Sequence, residues 1–351
     1  MSQAKKCRVA VNGYGVIGKR VAEAVARQDD MELAGVADIS TDWRPRVALQ
    51  KGFRLFGATG EHTEAMRESG LEVVGNLEDL LRVSDVVVDC TPKRIAAVNV
   101  DIYRQRGIKF IVQGGEKHEV TGHSFVAEAS YSSALNREST RVVSCNTTSI
   151  VRTLTALKHA GLLRRARGTL LRRATDPWES HLGGIMNTLV PEPEIPSHQG
   201  PDAQCVDPAL DVITMAVKVP ETLAHLHYWS VQLTRPTSTE EVLNAFAASS
   251  RIALIRTDAG LSALNTVKEL MADLGRPHDN LYEVALWSDM LKVEGDELFY
   301  AYMVDNQAIV IPETIDAVRA LTGTMSNAKE SIAKTDAALG IGLLTQIAGQ
   351  R

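Results

Sequence analysis

The chain has 351 residues, 44% of them hydrophobic and 23% charged, which suits a folded protein with a full core and favours two domains over one. Lys plus Arg number 38 against 43 Asp plus Glu, a formal net charge of −5, which argues against bulk binding to nucleic acid or an anionic membrane. No apolar run approaches the roughly 20 residues that a membrane span requires.

The opening residues, Met-Ser-Gln-Ala-Lys-Lys, lack the apolar core of a signal peptide. The four cysteines, Cys7, Cys90, Cys145 and Cys205, are widely spaced and form no CxxC pair. A cytoplasmic, reducing location is expected, with no metal site, no disulfide framework, no nucleic-acid partner and no membrane.

Residues 7–13 read as a short strand running into a glycine turn, and the spacing of Ile17, Val21, Ala24 and Val25 predicts a helix over 16–27. Further strands are predicted at 31–38, 84–91 and 109–115, with helices near 77–83 and 94–106. Nearly continuous apolar strands are what a parallel sheet covered on both faces requires, so the first 140 residues or so read as βαβ units. The pattern changes at Cys145, where a helix is predicted to run to about Ala160. Strands are then expected at 168–175, 211–219, 225–234 and 251–256, followed by an antiparallel meander at 283–293, 297–304 and 308–311. Helices close the chain, one opened by Pro312-Glu313 and one over 329–339. Residues 191–208 hold five of the twelve prolines and are too long for a mere connector.

Gly13-Tyr-Gly15-Val16-Ile17-Gly18 is a GxGxxG turn between a predicted strand and a predicted helix. Its glycines permit a tight turn and close approach of a pyrophosphate, and the helix start supplies N–H groups and positive dipole. Asp38, 20 residues after Gly18, stands at the end of the second strand, where a carboxylate accepts the ribose hydroxyls and repels a 2′-phosphate. NAD is therefore the expected cofactor, with NADP the alternative because Arg44 and Arg46 follow closely.

Val142-Val-Ser144-Cys145-Asn146-Thr-Thr148 places a cysteine at a helix start, where dipole and free N–H groups lower a thiol pKa. Asn146 and the two threonines can cap the helix or donate to an oxygen developing charge. A core thiol in a capping turn is the other reading of the same residues. His225 and His227 alternate onto one strand face, and either could serve a thiolate as base, with His225 the expected one.

Several blocks resemble the archaeal-type (type II) glyceraldehyde-3-phosphate dehydrogenases. These are Asn12–Arg20, Gln113-Gly-Gly115-Glu-Lys117, Val142–Thr148, Leu171-Arg-Arg173-Ala-Thr-Asp176, Pro196-Ser-His198 and Ile309-Val-Ile-Pro-Glu313. The resemblance spans about residues 8–340. It implies an α/β fold in which a Rossmann dinucleotide-binding domain (1–144 and 313–351, with a returning C-terminal helix) joins an α+β catalytic domain (145–312) with a mainly antiparallel sheet. It further implies Cys145 as nucleophile and His225 as base, in a phosphorylating oxidation of glyceraldehyde 3-phosphate through a Cys145 thioester. Val16, Ile17, Gly115 and Arg173 would line the cofactor. Ser144, Cys145 and Asn146 would hold the reacting carbonyl, and the loop at His198-Gln199-Gly200 would bind phosphate or substrate. Family members are usually homotetramers.

Three departures from the family pattern bear on specificity. Asp38 replaces a Lys- or Thr-rich strand end, which sharpens the NAD expectation. The family's double histidine becomes His198-Gln199, a neutral amide in place of a cationic candidate, which opens the alternative of another phosphorylated aldehyde or a semialdehyde. Asp305-Asn306 replaces a His-Gln pair, and Asn306 can still bond a nicotinamide carboxamide. A non-catalytic dinucleotide sensor is the alternative from another class.

Overall fold

The computed structural model describes residues 6–177, 181 and 185–348; the expected domain limits at 1–5 and 349–351 lie outside these. The chain forms two compact units. One runs to Ser144 and adds Val310–Leu339, and the other covers Cys145–Ile309 and adds the segment from Gly340 onward.

The first unit is built on a parallel sheet. Its strands are β1 (Cys7–Asn12), β2 (Met31–Asp38), β3 (Leu55–Gly57), β4 (Gly75–Asn76), β5 (Val86–Asp89), β6 (Lys109–Val112), β7 (Ser124–Phe125) and β8 (Ser139–Val142), in the order β4-β3-β2-β1-β5-β6-β8-β7. Every pairing is parallel. The apolar runs explain this, since Val86–Val88 and Phe110–Val112 are wholly buried, as strands covered on both faces must be. The chain winds outward from β1 in both directions, so a crevice opens beside the carboxyl end of β1, where ligands of such sheets bind.

Helix Val310–Thr322 completes this unit. Its buried Arg319 donates to both carboxylate oxygens of Asp30 (2.8 and 2.9 Å) and to Gln28 Oε1 (2.7 Å). The sequence pattern predicts a strand at 308–311, and the structure corrects this. Asp305 Oδ1 accepts the N–H groups of Gln307 and Ala308, which ends the preceding strand in a turn, and the helix begins at Val310. Val310, Ile311, Ile315 and Val318 are all buried, and an element buried on every side has no periodicity to separate helix from strand.

The second unit carries a mixed sheet of β9 (Leu163–Arg173), β10 (Val190–Pro191), β11 (Val212–Val219), β12 (Ala224–Leu233), β13 (Ile252–Ile255), β14 (Val284–Trp287), β15 (Lys292–Glu294) and β16 (Glu297–Asp305). Their order is β10-β11-β9-β12-β16-β14-β13, with β15 on β16. Most pairings are antiparallel, but β11 runs parallel to β9, and β13 to β14. Within the expected meander the pairings are antiparallel, β16 pairing with both β14 and β15. Its first strand is broken by a turn at Ser288–Met290. β9 starts five residues earlier than its pattern suggests, because the exposed Arg164 and Arg165 mask its apolar alternation.

The tail also differs from expectation. Residues from Gly340 group with the second unit, where Leu344 and Ala348 of helix Leu343–Ala348 pack among Ile255, Leu261 and Trp287. Arg276 donates to Gly340 O (2.8 Å), and Gly342 donates to Glu283 Oε1 (3.1 Å).

Candidate active site

In the first unit the glycine turn follows β1 directly. Gly13 has φ +92°, and a side chain there would meet Cys90 backbone at 2.9 Å. A Cβ on Gly18 would lie 1.7 Å from Gly13 O, so helix and strand pack in contact. At Gly15 the same atom would meet nothing within 4 Å, which leaves the backbone open to a ligand. Helix Val16–Ala26 starts from Gly15 with no side-chain cap and no acidic residue in its first turn. Its leading N–H groups therefore face no side-chain acceptor, and the cradle fits a diphosphate. Val16 and Ile17 are half-buried at this helix start.

Asp38 closes the same corner. Its carboxylate accepts the N–H groups of Tyr14 (2.6 Å), Ile39 (2.8 Å) and Ser40 (2.8 Å), tying the end of β2 to the glycine turn. Gly115 lies in the turn after β6, where an added Cβ would make only ordinary contact with Lys93. At Gly114 a Cβ would sit 2.4 Å from the Ser144 nitrogen, so only glycine lets the Gln-Gly-Gly turn pack against the half-buried Ser144.

In the second unit Cys145 is the first residue of helix Cys145–His159, and β12 presents His225 to it. Cys145 Sγ and His225 Nε2 are 3.3 Å apart. On the far side of the ring, the backbone N–H of Arg173 donates to Nδ1 at 3.0 Å. A backbone N–H can only donate, so Nδ1 presents its lone pair and the hydrogen of the neutral ring sits on Nε2, facing sulfur.

Burial pushes the Cys145 thiol up to about 11, against the pull of the Arg173 guanidinium, the Asn146 N–H and the Arg172 guanidinium. The lowered thiol expected from a helix start is thus overridden by desolvation. Burial also holds His225 well below its ordinary value, reinforced by His227, Arg173 and Arg172. The resting pair is a neutral thiol beside a neutral imidazole.

Asn146 lies buried next to Cys145. Its Nδ2 is 3.9 Å from Sγ, and its Oδ1 is 2.8 Å from His227 Nε2. The other nitrogen of His227 meets Tyr302 OH at 2.8 Å, and Tyr302 OH lies 3.1 Å from Ser149 Oγ. His227 is therefore a fully partnered core histidine, separated from sulfur by Asn146.

The proline-rich segment contributes helix Gln199–Gln204. Gln199 is fully buried, and neither atom of its amide has a hydrogen-bond partner. His198 is exposed, with Nδ1 3.7 Å from Glu192, which also pairs with Arg172. Gly200 gives its N–H to Thr214 Oγ1 (3.0 Å). Arg173 reaches Asp176 (3.3 Å), whose other oxygen accepts Asn306 Nδ2 (2.8 Å) and Gln307 Nε2 (3.1 Å). The expected site residues thus form two sets. Gly13, Gly15, Val16, Ile17, Gly18, Asp38, Gly115 and Ser144 lie in the first unit. Cys145, Asn146, Arg173, His198, Gln199, Gly200, His225 and Asn306 lie in the second.

The sequence alone implies no role for Arg172, Asp176 or Gln307. The first two fall inside the quoted Leu171–Asp176 block, which was the available signal. Gln307 falls in the Asp305–Ala308 segment that departs from the family pattern, and its link to Asp176 spans 131 positions.

Residues 144–274 match the family model described as glyceraldehyde 3-phosphate dehydrogenase, C-terminal domain, and residues 7–120 match dihydrodipicolinate reductase, N-terminus. A glyceraldehyde-3-phosphate dehydrogenase of Methanobrevibacter smithii is 42% identical over 95% of this chain and 99% of its own length. That of Thermococcus kodakarensis is 42% identical over 96% and 99%, and that of Pyrobaculum calidifontis 44% over 95% and 96%. This chain belongs to the glyceraldehyde-3-phosphate dehydrogenase family. The second family match coincides with the parallel sheet and its glycine turn. Among the described residues, no helix is long and apolar enough to cross a membrane.

Proposed function

We propose that the chain is a phosphorylating glyceraldehyde-3-phosphate dehydrogenase, in which the first unit holds NAD, with NADP the weaker ligand, and the second carries the chemistry. The observation that carries this reading is the 3.3 Å apposition of Cys145 Sγ and His225 Nε2 at a helix start, in a chain with an open dinucleotide cradle at Gly13–Gly18.

The nucleophile is Cys145. Its sulfur bonds to the aldehyde carbon and the carbonyl oxygen becomes the hydroxyl of a thiohemiacetal, held by the donors at Ser144, Cys145 and Asn146. When bound, oxidised nicotinamide supplies the hydride acceptor. His225 takes the hydroxyl proton at Nε2 as the carbon loses hydride, leaving a thioester on Cys145. To do so the ring must carry its own hydrogen on Nδ1, which requires the Arg173 N–H to turn away. Inorganic phosphate then attacks the thioester carbon and breaks its bond to sulfur, releasing an acyl phosphate. The displaced Cys145 sulfur takes the proton that the phosphate loses, and His225 gives up its own proton to solvent.

The buried, unpartnered amide of Gln199 and the unpaired Nε atoms of Arg172 and Arg173 support a polar, anionic ligand in the second unit. Buried donors without partners are costly unless something accepts from them. Asn306 gives its side-chain nitrogen to Asp176, which leaves its oxygen to accept from a carboxamide. The reading also includes a cytoplasmic homotetramer. Support for assembly comes from one face of the second sheet, where Met215, Thr169 and Tyr228 are neighbours across β11, β9 and β12, with Met215 43% and Tyr228 45% exposed.

A steady-state assay with glyceraldehyde 3-phosphate, phosphate and either NAD or NADP tests the function. Turnover that disappears in Cys145→Ser, with NAD binding intact, is the expected result. No turnover with either dinucleotide would overturn it, and a panel of other phosphorylated and unphosphorylated aldehydes would then find the substrate.

A further inference from the structure

The corner at the end of β2 contains a cation that is already neutralised. Arg44 Nε donates to both carboxylate oxygens of Asp42 (3.1 and 3.0 Å), and its Nη2 donates to Asp42 Oδ2 (2.6 Å) and Ser40 Oγ (3.3 Å). Ser40 in turn gives its N–H to Asp38 Oδ1. Asp38, Ser40 and Arg44 therefore belong to one linked group, at the strand end where a dinucleotide's adenosine ribose is read. The other nearby cation, Lys19, lies over the indole face of Trp43 (5.6 Å to the ring centroid).

A 2′-phosphate carries close to two negative charges and needs a cation with free, forked donors. Here the guanidinium that has the right geometry is committed to Asp42, Lys19 offers a point charge without a fork, and Asp38 adds an acceptor-only carboxylate at the same corner. We infer that Asp42, by holding Arg44, is the residue that makes this chain discriminate against NADP, and that Arg44 is a latent 2′-phosphate site. This rests on the dinucleotide reading above and adds a second element to it, since Asp38 repels the phosphate while Asp42 withholds its counter-charge.

Asp42 is also the N-cap of helix Trp43–Gln50, where its carboxylate accepts the Arg44 N–H at 2.9 Å. Asn caps a helix as well as Asp does. Asp42→Asn therefore keeps the cap and removes only the charge that holds the guanidinium.

Isothermal titration calorimetry of NAD and NADP, on the full chain without substrate, reads the effect directly. Asp42→Asn is expected to tighten NADP at least tenfold and to leave NAD within twofold. The double variant Asp42→Asn/Arg44→Gln should return NADP to its original affinity. An NADP affinity in Asp42→Asn within twofold of the starting protein overturns the inference, as does a gain that survives in the double variant. Absence of binding by both dinucleotides to the starting protein overturns this inference together with the dinucleotide reading, whereas NAD binding without a change in discrimination overturns this one alone.

Discussion

The backbone N–H of Arg173 donates to Nδ1 of His225 at 3.0 Å, and this bond decides what the ring offers to Cys145. With Nδ1 accepting, Nε2 carries hydrogen and donates toward sulfur 3.3 Å away. Two roles are thereby separated in time. At rest His225 donates toward a neutral thiol, and its hydrogen stabilises the thiolate only when the sulfur ionises; in turnover the ring must become an acceptor for the hydroxyl proton.

A glutamine at position 225 distinguishes the two roles, because its amide can donate to sulfur but cannot take a proton. His225→Gln should keep the rate of Cys145 alkylation by iodoacetamide within a few-fold of the starting protein. Its kcat should fall on the order of 10²–10⁴, the usual contribution of a positioned base. Equal losses in alkylation and turnover would mean that a single role accounts for the residue.

The thiol itself sets a pH dependence. Burial raises Cys145 to about 11, so its neutral form dominates below that value and the thiolate fraction rises tenfold per pH unit through the neutral range. Iodoacetamide labelling of the free protein should therefore climb log-linearly from about pH 7 to pH 10. A plateau reached by pH 8 would show that the helix start and the two arginines outweigh desolvation.

The glycine turn separates stability from binding. Gly18→Ala forces a methyl to within 1.7 Å of Gly13 O and should lower Tm and abolish NAD binding together. Gly15→Ala meets open space, so Tm should hold while NAD affinity drops at least tenfold, the methyl standing where a diphosphate approaches. Calorimetry and thermal unfolding of both variants check this. If Gly15→Ala binds NAD normally, the diphosphate lies elsewhere.

The local signals were legible because they depend on neighbours in sequence. β2 begins and ends at Met31 and Asp38 as its apolar run suggests, and Cys145 starts its helix where the capping residues place it. What could not be read depends on burial or distant partners. Helix Val310–Thr322 passes for a strand because every side is covered. The raised thiol at Cys145 follows from its burial in the folded chain, whereas the helix start that would lower it is written locally. Beyond its neighbour Arg173, Asp176 meets Asn306 and Gln307, 130 and 131 positions away. Asp42 and Arg44 are two positions apart, yet spacing alone leaves open whether the arginine faces the aspartate or a ligand.

His227 supplies a test of how the buried polar network affects stability. Burial, with a smaller push from Arg172, takes it from 6.5 down to about 3. Between these values the unfolded chain binds a proton that the folded chain refuses. The stabilisation is therefore complete above pH 6.5 and is lost as pH falls toward 3, by roughly 2 kcal/mol at pH 5. His123, lowered to about 4 by burial, acts in the same direction. Tm should thus fall on acidification from pH 7 to pH 5. Glutamine at 227 can still reach Asn146 and Tyr302 but does not titrate in this range. His227→Gln should lower Tm at pH 7 and flatten its dependence on pH, the remaining slope belonging to His123 and His225. Parallel Tm curves for the two proteins would mean that His227 accepts its proton without unfolding.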